Sequence, residues 1–452
     1  MSVAWLSPPT VRLGLAHVVD TIALLLCAVF LWRLFFFAEE AFDPFATMVG
    51  LTAIAAAILA RRRVFTIVDG PVAVFSVLTV LSAIVHHREF SPASPAASWP
   101  TSWKPATDVV VRVVYFYGLS SLLKTERRIG ALIAFIVFAA SVIGVETLYD
   151  HASYGWGTRL PEYPSVVSWM GYPQIGMVVG IAFSLTLPVL VASRSPIAML
   201  ASSLLALVFV FDLVFLYSRA AHVAVGATYV ALNVVELWKL KTWRLTVMTV
   251  AGLFFVVAVL VVTPVRLRSF TQLWNAPRYG YNTQMSLTSR LAIWSRAVML
   301  IRDHPWLGVG PGNYTDAARR IPLPDSVLDP YEGANYTAHA HNMILQVAAD
   351  GGILAVAAFL LIWWRILNRL SGLWSRSASG LLALALSSAL FSFFVRGFSD
   401  YFRDGMQHSE RTGLLLWTVL GAAVAVARLS ERSHDAGDVA RVVSQRQMSD
   451  RI

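Results

Sequence analysis

Cysteine is almost absent from this chain: Cys27 is the only one in 452 residues. A single thiol excludes an intrachain disulfide framework and gives no basis for a thiolate metal site. Charge is sparse as well, with 14% Asp, Glu, Lys and Arg against 57% hydrophobic residues, where a soluble domain carries about a quarter charged residues. That excludes an ordinary soluble globular protein. Lysine is scarce too: only Lys104, Lys124, Lys239 and Lys241 occur, so the net charge of +10 rests almost wholly on arginine. Guanidinium forks suit phosphate ligands, although arginine-rich coding explains the composition equally well. No soluble basic domain accompanies the excess, which argues against a nucleic-acid partner. No Asp-x-Asp pair occurs, which disfavours a nucleotide-sugar transferase that grips a divalent ion with such a pair.

What the chain does have is a series of apolar runs, each long enough to cross a hydrocarbon core of about 30 Å. Twelve spans are expected: Val19 to Phe37, Pro44 to Ala60, Pro71 to Val85, Val109 to Leu123, Gly130 to Tyr149, Tyr172 to Ala192, Pro196 to Tyr217, His222 to Leu237, Leu245 to Val262, His341 to Trp364, Ser379 to Phe394 and Thr412 to Ala427. The fold class is therefore all-α, a polytopic membrane bundle. Its expected divisions are spans one to nine (1–263), a large outer loop (264–340), spans ten to twelve (341–428) and a polar, mobile tail (429–452). The first run is too long for a signal-peptide core and is expected to remain as an anchor. Short loops carrying Arg61, Arg62, Arg63, Lys124, Arg127, Arg128, Lys239, Lys241, Arg244, Arg365, Arg369 and Arg376 fall on one side, which the positive-inside tendency assigns to the cytoplasm together with both termini. The long loop then faces the periplasm.

Within that loop, Leu287, Leu291, Trp294, Val298 and Ile301 recur at helical spacing with Arg290 at the stripe's edge, as in a helix lying at the membrane interface. The strongest chemical signal is Thr337-Ala338-His339-Ala340-His341-Asn342 at the start of the tenth span, followed by Asp350, Gly351 and Gly352. An imidazole there suits general-base work on a sugar hydroxyl; an interfacial histidine bonded to backbone is the plainer alternative. His339 and His341 are two apart, so on a regular helix they would not share a face; His341 is expected to act and His339 to orient it. Zinc is disfavoured for want of a third ligand. Arg219, in a short outer turn with Ser218, and Arg290 suit either headgroup anchoring or the grip of a lipid pyrophosphate. Gly308-Val309-Gly310-Pro311-Gly312 lacks the ending of a phosphate loop and reads as a tight turn. Asp400 and Asp404, near Arg396 and Arg403, read as structural ion pairs, and His86 and His87 as solvated loop histidines.

These residues resemble the bacterial O-antigen ligases, part of a wider group with O-antigen polymerases and O-linked oligosaccharyltransferases. The resemblance rests on about twelve spans, a large loop after the ninth, and local motifs. These are His341, Asn342 and Gly352; Arg290, Trp294, Pro305, Gly308 and Gly310; and Ser218 with Arg219. Departures stand at Pro173-Gln174, where many relatives have Pro-Asn, and at Asp350, where Glu is common. The resemblance implies an inner-membrane enzyme of lipopolysaccharide biosynthesis. It would move O-antigen glycan from undecaprenyl pyrophosphate to lipid A-core on the periplasmic side, with inversion and without a metal or other cofactor. It makes His341 and His339 the catalytic pair and Arg219 and Arg290 the pyrophosphate ligands. The alternatives are a polymerase or oligosaccharyltransferase with the same chemistry, and a lipid-glycan transporter, whose polar groups would gather nearer the membrane midplane.

Overall fold

The computed structural model describes residues 9–36, 43–62, 64–86, 103–154, 172–216, 218–246, 283–322, 339–399 and 411–449. Among them every regular element is a helix: α1 Pro9–Phe36, α2 Asp43–Leu59, α3 Asp69–His86, α4 Trp103–Leu122, α5 Glu126–Tyr154, α6 Tyr172–Ala192, α7 Pro196–Phe215, α8 Arg219–Val235, α9 Thr283–Asp303, α10 Tyr314–Arg319, α11 Met343–Leu373, α12 Ala378–Ser399 and α13 Arg411–Ser449. A π-helical turn, Glu236–Leu240, prolongs α8. Nine described helices are long and apolar enough to span a bilayer, and the protein is a multi-pass helical membrane protein. Eleven of the twelve expected spans coincide with described helices; the ninth, Leu245 to Val262, lies outside the described residues beyond Thr246.

Two helices form the centre. The apolar stretch Gln174–Ala192 of α6 is 94% buried inside the protein, whereas Pro196–Val214 of α7 is only 28% buried. Ile197, Leu200 and Leu204 of α7 therefore point outward, as expected where lipid is the surrounding solvent. α13 is likewise enclosed, with Trp417 fully buried against Phe116. Where two helices must approach most closely, side chains are missing: a Cβ on Gly118 of α4 would strike the backbone of Gly50 on α2. Small residues of this kind let membrane helices gain dispersion contact without any hydrophobic drive between them.

Helices outrun their apolar cores, because a charged residue at a span's end does not break the hydrogen-bond ladder. α11 reaches Leu373 rather than Trp364, and the polar tail expected to be mobile after Ser430 continues α13 to Ser449, with no proline in it. The basic loop residues then meet at one end of the bundle. Asp20, 3% exposed, accepts from Arg62 at 3.1 Å, Lys124 at 2.8 Å and Arg128 at 2.9 Å. Arg428 donates to the carbonyls of Val64 and Ser120, and Arg365 to that of Ile67. Lys239 at the end of α8 reaches the Ser371 carbonyl at the end of α11, so the first residues of α8 and α11 both lie at the opposite end.

Candidate active site

That opposite end holds the histidines. Ordinary spans run unbroken, but α11 breaks at Gly352, whose φ of 81° and ψ of 178° are essentially restricted to glycine. A break inside a bilayer leaves backbone groups to satisfy, and the turn after α9 supplies the partners. The Val309 N–H donates to the Ala349 carbonyl at 2.7 Å, the Gly310 N–H to Asp350 at 3.1 Å, and the Ile353 N–H to Pro305 at 2.8 Å. The two chains touch so closely that a Cβ on Gly308 would collide with the Ala349 carbonyl, and one on Gly352 with the Trp306 carbonyl. The Ser82 hydroxyl of α3 faces both the Leu307 and Asp350 carbonyls, 2.8 Å from the latter. The glycine-rich segment thus forms the expected tight turn, and its structural duty is to fill the break in α11. The expected continuous span from His341 to Trp364 is corrected on two counts: the helix starts at Met343 and is interrupted.

It starts there because of Asn342, whose Oδ1 accepts from the N–H groups of Ile344 at 3.0 Å and Leu345 at 3.1 Å. Asn342 Nδ2 donates to the Phe398 carbonyl at 3.1 Å, which ties the start of α11 to the end of α12. His339 and His341 precede the cap and are not helical. His341 has a φ of 47°, a left-handed conformation uncommon for a residue with a side chain. The expectation that the two histidines would lie on different faces is corrected accordingly: their rings are 4.1 Å apart, tilted by 54°. Both are half-buried.

Ala340, between them, is buried in a small separate core with Ile293, Ala297 and Leu300 of α9, Val309, Tyr314 and Ala317. Tyr314 is 1% exposed and its hydroxyl donates to the Ile293 carbonyl at 3.2 Å; burial pushes its phenol above the usual tyrosine range. The expected stripe on α9 divides. Leu291 and Val298 are exposed, Trp294 and Ile301 half-buried, and the side chain of Leu287 lies outside the described residues. The buried face consists instead of Ala292, Ile293, Ala297 and Leu300, with alanines that a search for large apolar residues passes over.

Arg219 opens α8 at this end, its side chain lying outside the described residues. The preceding Ser218 packs against α6: a Cβ on Gly176 would sit 3.0 Å from that of Ser218. Arg290 is half-buried on α9, and none of the ion pairs among the described residues involves it. The four candidate residues therefore share one end of the molecule. His86 is corrected from a solvated histidine to a buried one, edge-on to His304 with ring centroids 5.7 Å apart, because the turn at Gly310 covers it. His87, Thr337, Ala338, Asp400, Arg403 and Asp404 lie outside the described residues, while Arg396 is buried. Sequence reasoning missed Gln346 and the burial of Asp350. Gln346 accepts from the Ala340 N–H at 2.7 Å and donates to Asp350 Oδ2 at 2.9 Å; its spacing of four from Asp350 was the available signal. Among the described residues no three His, Cys, Asp or Glu side chains gather as a metal site. A cavity of about 460 Å³ opens at the other, arginine-rich end, between Trp364, Arg365, Arg369 and Glu431.

Residues 203–360 match the family model described as O-antigen ligase. That stretch contains all four candidate residues, the turn and the break in α11. A curated protein of Rickettsia conorii named "Putative polysaccharide ligase" is 29% identical over 123 residues, which cover 26% of this chain and 28% of the relative.

Proposed function

We propose that the chain, whose residues 203–360 match the O-antigen ligase family model, is an O-antigen ligase, a lipid-pyrophosphate-dependent glycosyltransferase of lipopolysaccharide biosynthesis. Its donor is undecaprenyl-pyrophosphate-linked glycan and its acceptor lipid A-core, met at the periplasmic face of the inner membrane with both termini cytoplasmic. The observation that carries this reading is the histidine pair held just ahead of the Asn342 cap, at the end of the bundle where Arg219 and Arg290 also lie. His341 takes the proton of the acceptor hydroxyl, with His339 orienting it. The acceptor oxygen attacks the anomeric carbon, the bond from that carbon to the pyrophosphate oxygen breaks, and the pyrophosphate leaves with the electron pair. Arg219 and Arg290 receive the departing charge, a preorganised stabilisation of the kind that dominates many transfer reactions. With guanidinium in that role no added metal is required, and single displacement inverts the anomeric centre.

The test is transfer by purified protein given donor and lipid A-core, without added metal or nucleotide, followed by glycan mobility on a gel. Wild type transfers glycan to lipid A-core, and His341→Ala lowers turnover by roughly 10²- to 10⁴-fold while eluting as a folded protein. Glycan that lengthens on its lipid carrier instead assigns the protein to the polymerases. An intact donor with no transfer at all favours transport, and product with the donor's anomeric configuration overturns inversion.

A further inference from the structure

His341 is the only described candidate held in a left-handed conformation, and no glycine relieves it. Something must hold the backbone there, and the contacts around Ala340 identify it. The methyl group of Ala340 is fully buried among Ile293, Val309 and Tyr314, and its N–H is taken by Gln346 Oε1 at 2.7 Å. With both its side chain and its amide fixed, Ala340 anchors the segment that carries the flanking histidines, whose rings meet at 4.1 Å. Gln346, 3% exposed, is held one turn further on by Asp350, which accepts from its Nε2 at 2.9 Å. The Asp350 carbonyl in turn takes the Gly310 N–H at 3.1 Å and faces the Ser82 hydroxyl at 2.8 Å. A continuous series of contacts runs from α3 and the glycine turn, through Asp350 and Gln346, to the peptide between the two histidines.

We propose that Gln346 is a positioning residue for His341, with Asp350 fixing the Gln346 amide so that its oxygen faces the histidine segment and its nitrogen faces away. The assignment rests on the reading of His341 as the base. An amide is required at 346 because it must accept on one side and donate on the other; leucine does neither and glutamate does only the first. A misplacement of about 1 Å at a reacting group costs up to about 10²-fold in rate.

The experiment compares wild type, His341→Ala, Gln346→Leu, Gln346→Glu and the double variant Gln346→Glu with Asp350→Asn in the purified transfer assay, with donor titrated and the folded fraction measured by gel filtration. In the double variant donor and acceptor change places: the introduced asparagine amide donates, the introduced glutamate carboxylate accepts from it and from the Ala340 N–H, and the pair keeps one amide and one carboxyl group. The expected result is a kcat about 10- to 100-fold lower in Gln346→Leu and Gln346→Glu, an unchanged donor KM, and most of kcat restored in the double variant. Gln346→Glu, matched in size, carries the comparison should the leucine variant fail to fold. Wild-type kcat in the folded single variants, with His341→Ala inactive, overturns the positioning role alone. Loss without rescue in the folded double variant overturns it too. Wild-type turnover in His341→Ala overturns the base assignment and the positioning role with it.

Discussion

At the arginine-rich end of the bundle the cations are committed to the protein itself: Asp20 gathers Arg62, Lys124 and Arg128, and Arg365 and Arg428 end on backbone carbonyls. At the histidine end Arg319 still pairs with Asp316 and Arg296 donates to the Ile321 carbonyl, but other interactions come to the fore. Backbone pairs with backbone across the break in α11, and Arg290 takes part in none of the ion pairs among the described residues. Charge that is already neutralised holds helices together and has little left for a ligand, whereas a half-buried guanidinium outside those ion pairs is available to one. Arginine thus does structural work at both ends, and Arg290 is the one that the proposed function assigns to a ligand.

The comparison breaks most visibly at Asp20. Asp20→Ala leaves three cations facing one another at the start of the bundle. The expected loss is about 3 kcal/mol, the low end for a broken buried pair, because the three cations still reach solvent. It is checked by thermal unfolding in detergent, with turnover per folded molecule unchanged. A turnover loss larger than the loss of folded protein would mean that this end takes part in the reaction.

Matched arginine variants sharpen the contrast. Under the proposed function Arg290→Ala removes a charged hydrogen bond to pyrophosphate, about 1.5–3 kcal/mol, so donor KM or kcat/KM worsens roughly 10- to 100-fold while the unfolding temperature holds. Arg128→Ala at the other end should do the reverse, lowering the unfolding temperature and leaving donor kinetics alone. Equal kinetic effects from the two would erase the distinction between the ends.

How much of the molecule is legible in the sequence follows from the range of each interaction. Apolar runs are local, so the spans are readable, down to the turn that starts α8 at Arg219. The role of the Pro305 to Gly312 turn is not, since its partners at Ala349 and Asp350 lie some forty residues on and only the docked chains reveal why Gly308 and Gly352 lack side chains. His86 escapes a local reading for the same reason: the residue that covers it, Gly310, is remote in sequence. A helical template separates the two histidines, whereas Asn342 delays the helix and the left-handed backbone at His341 brings the rings together. Asp20 is silent in the sequence because one carboxylate in an apolar run carries no pattern; its three partners come from the loop after α2 and from the junction of α4 and α5.

The smallest expected effect tests whether the histidine end is held by the cap or by the tie to α12. Asn342→Ala removes both the oxygen that caps α11 and the Nδ2 donor to Phe398, and should cost about 1 kcal/mol of stability. Asn342→Asp keeps a capping oxygen, with a charge that suits a helix N-terminus, but has no donor for the Phe398 carbonyl. If the cap is what matters, aspartate recovers the unfolding temperature and turnover together. If the tie matters, aspartate recovers stability while turnover stays low, because the start of α11 is then free to shift against α12 and to carry His341 with it. Wild-type behaviour of both variants in both measurements would mean that neither contact governs the histidine segment, and would leave its position to Ala340 and the contacts through Gln346.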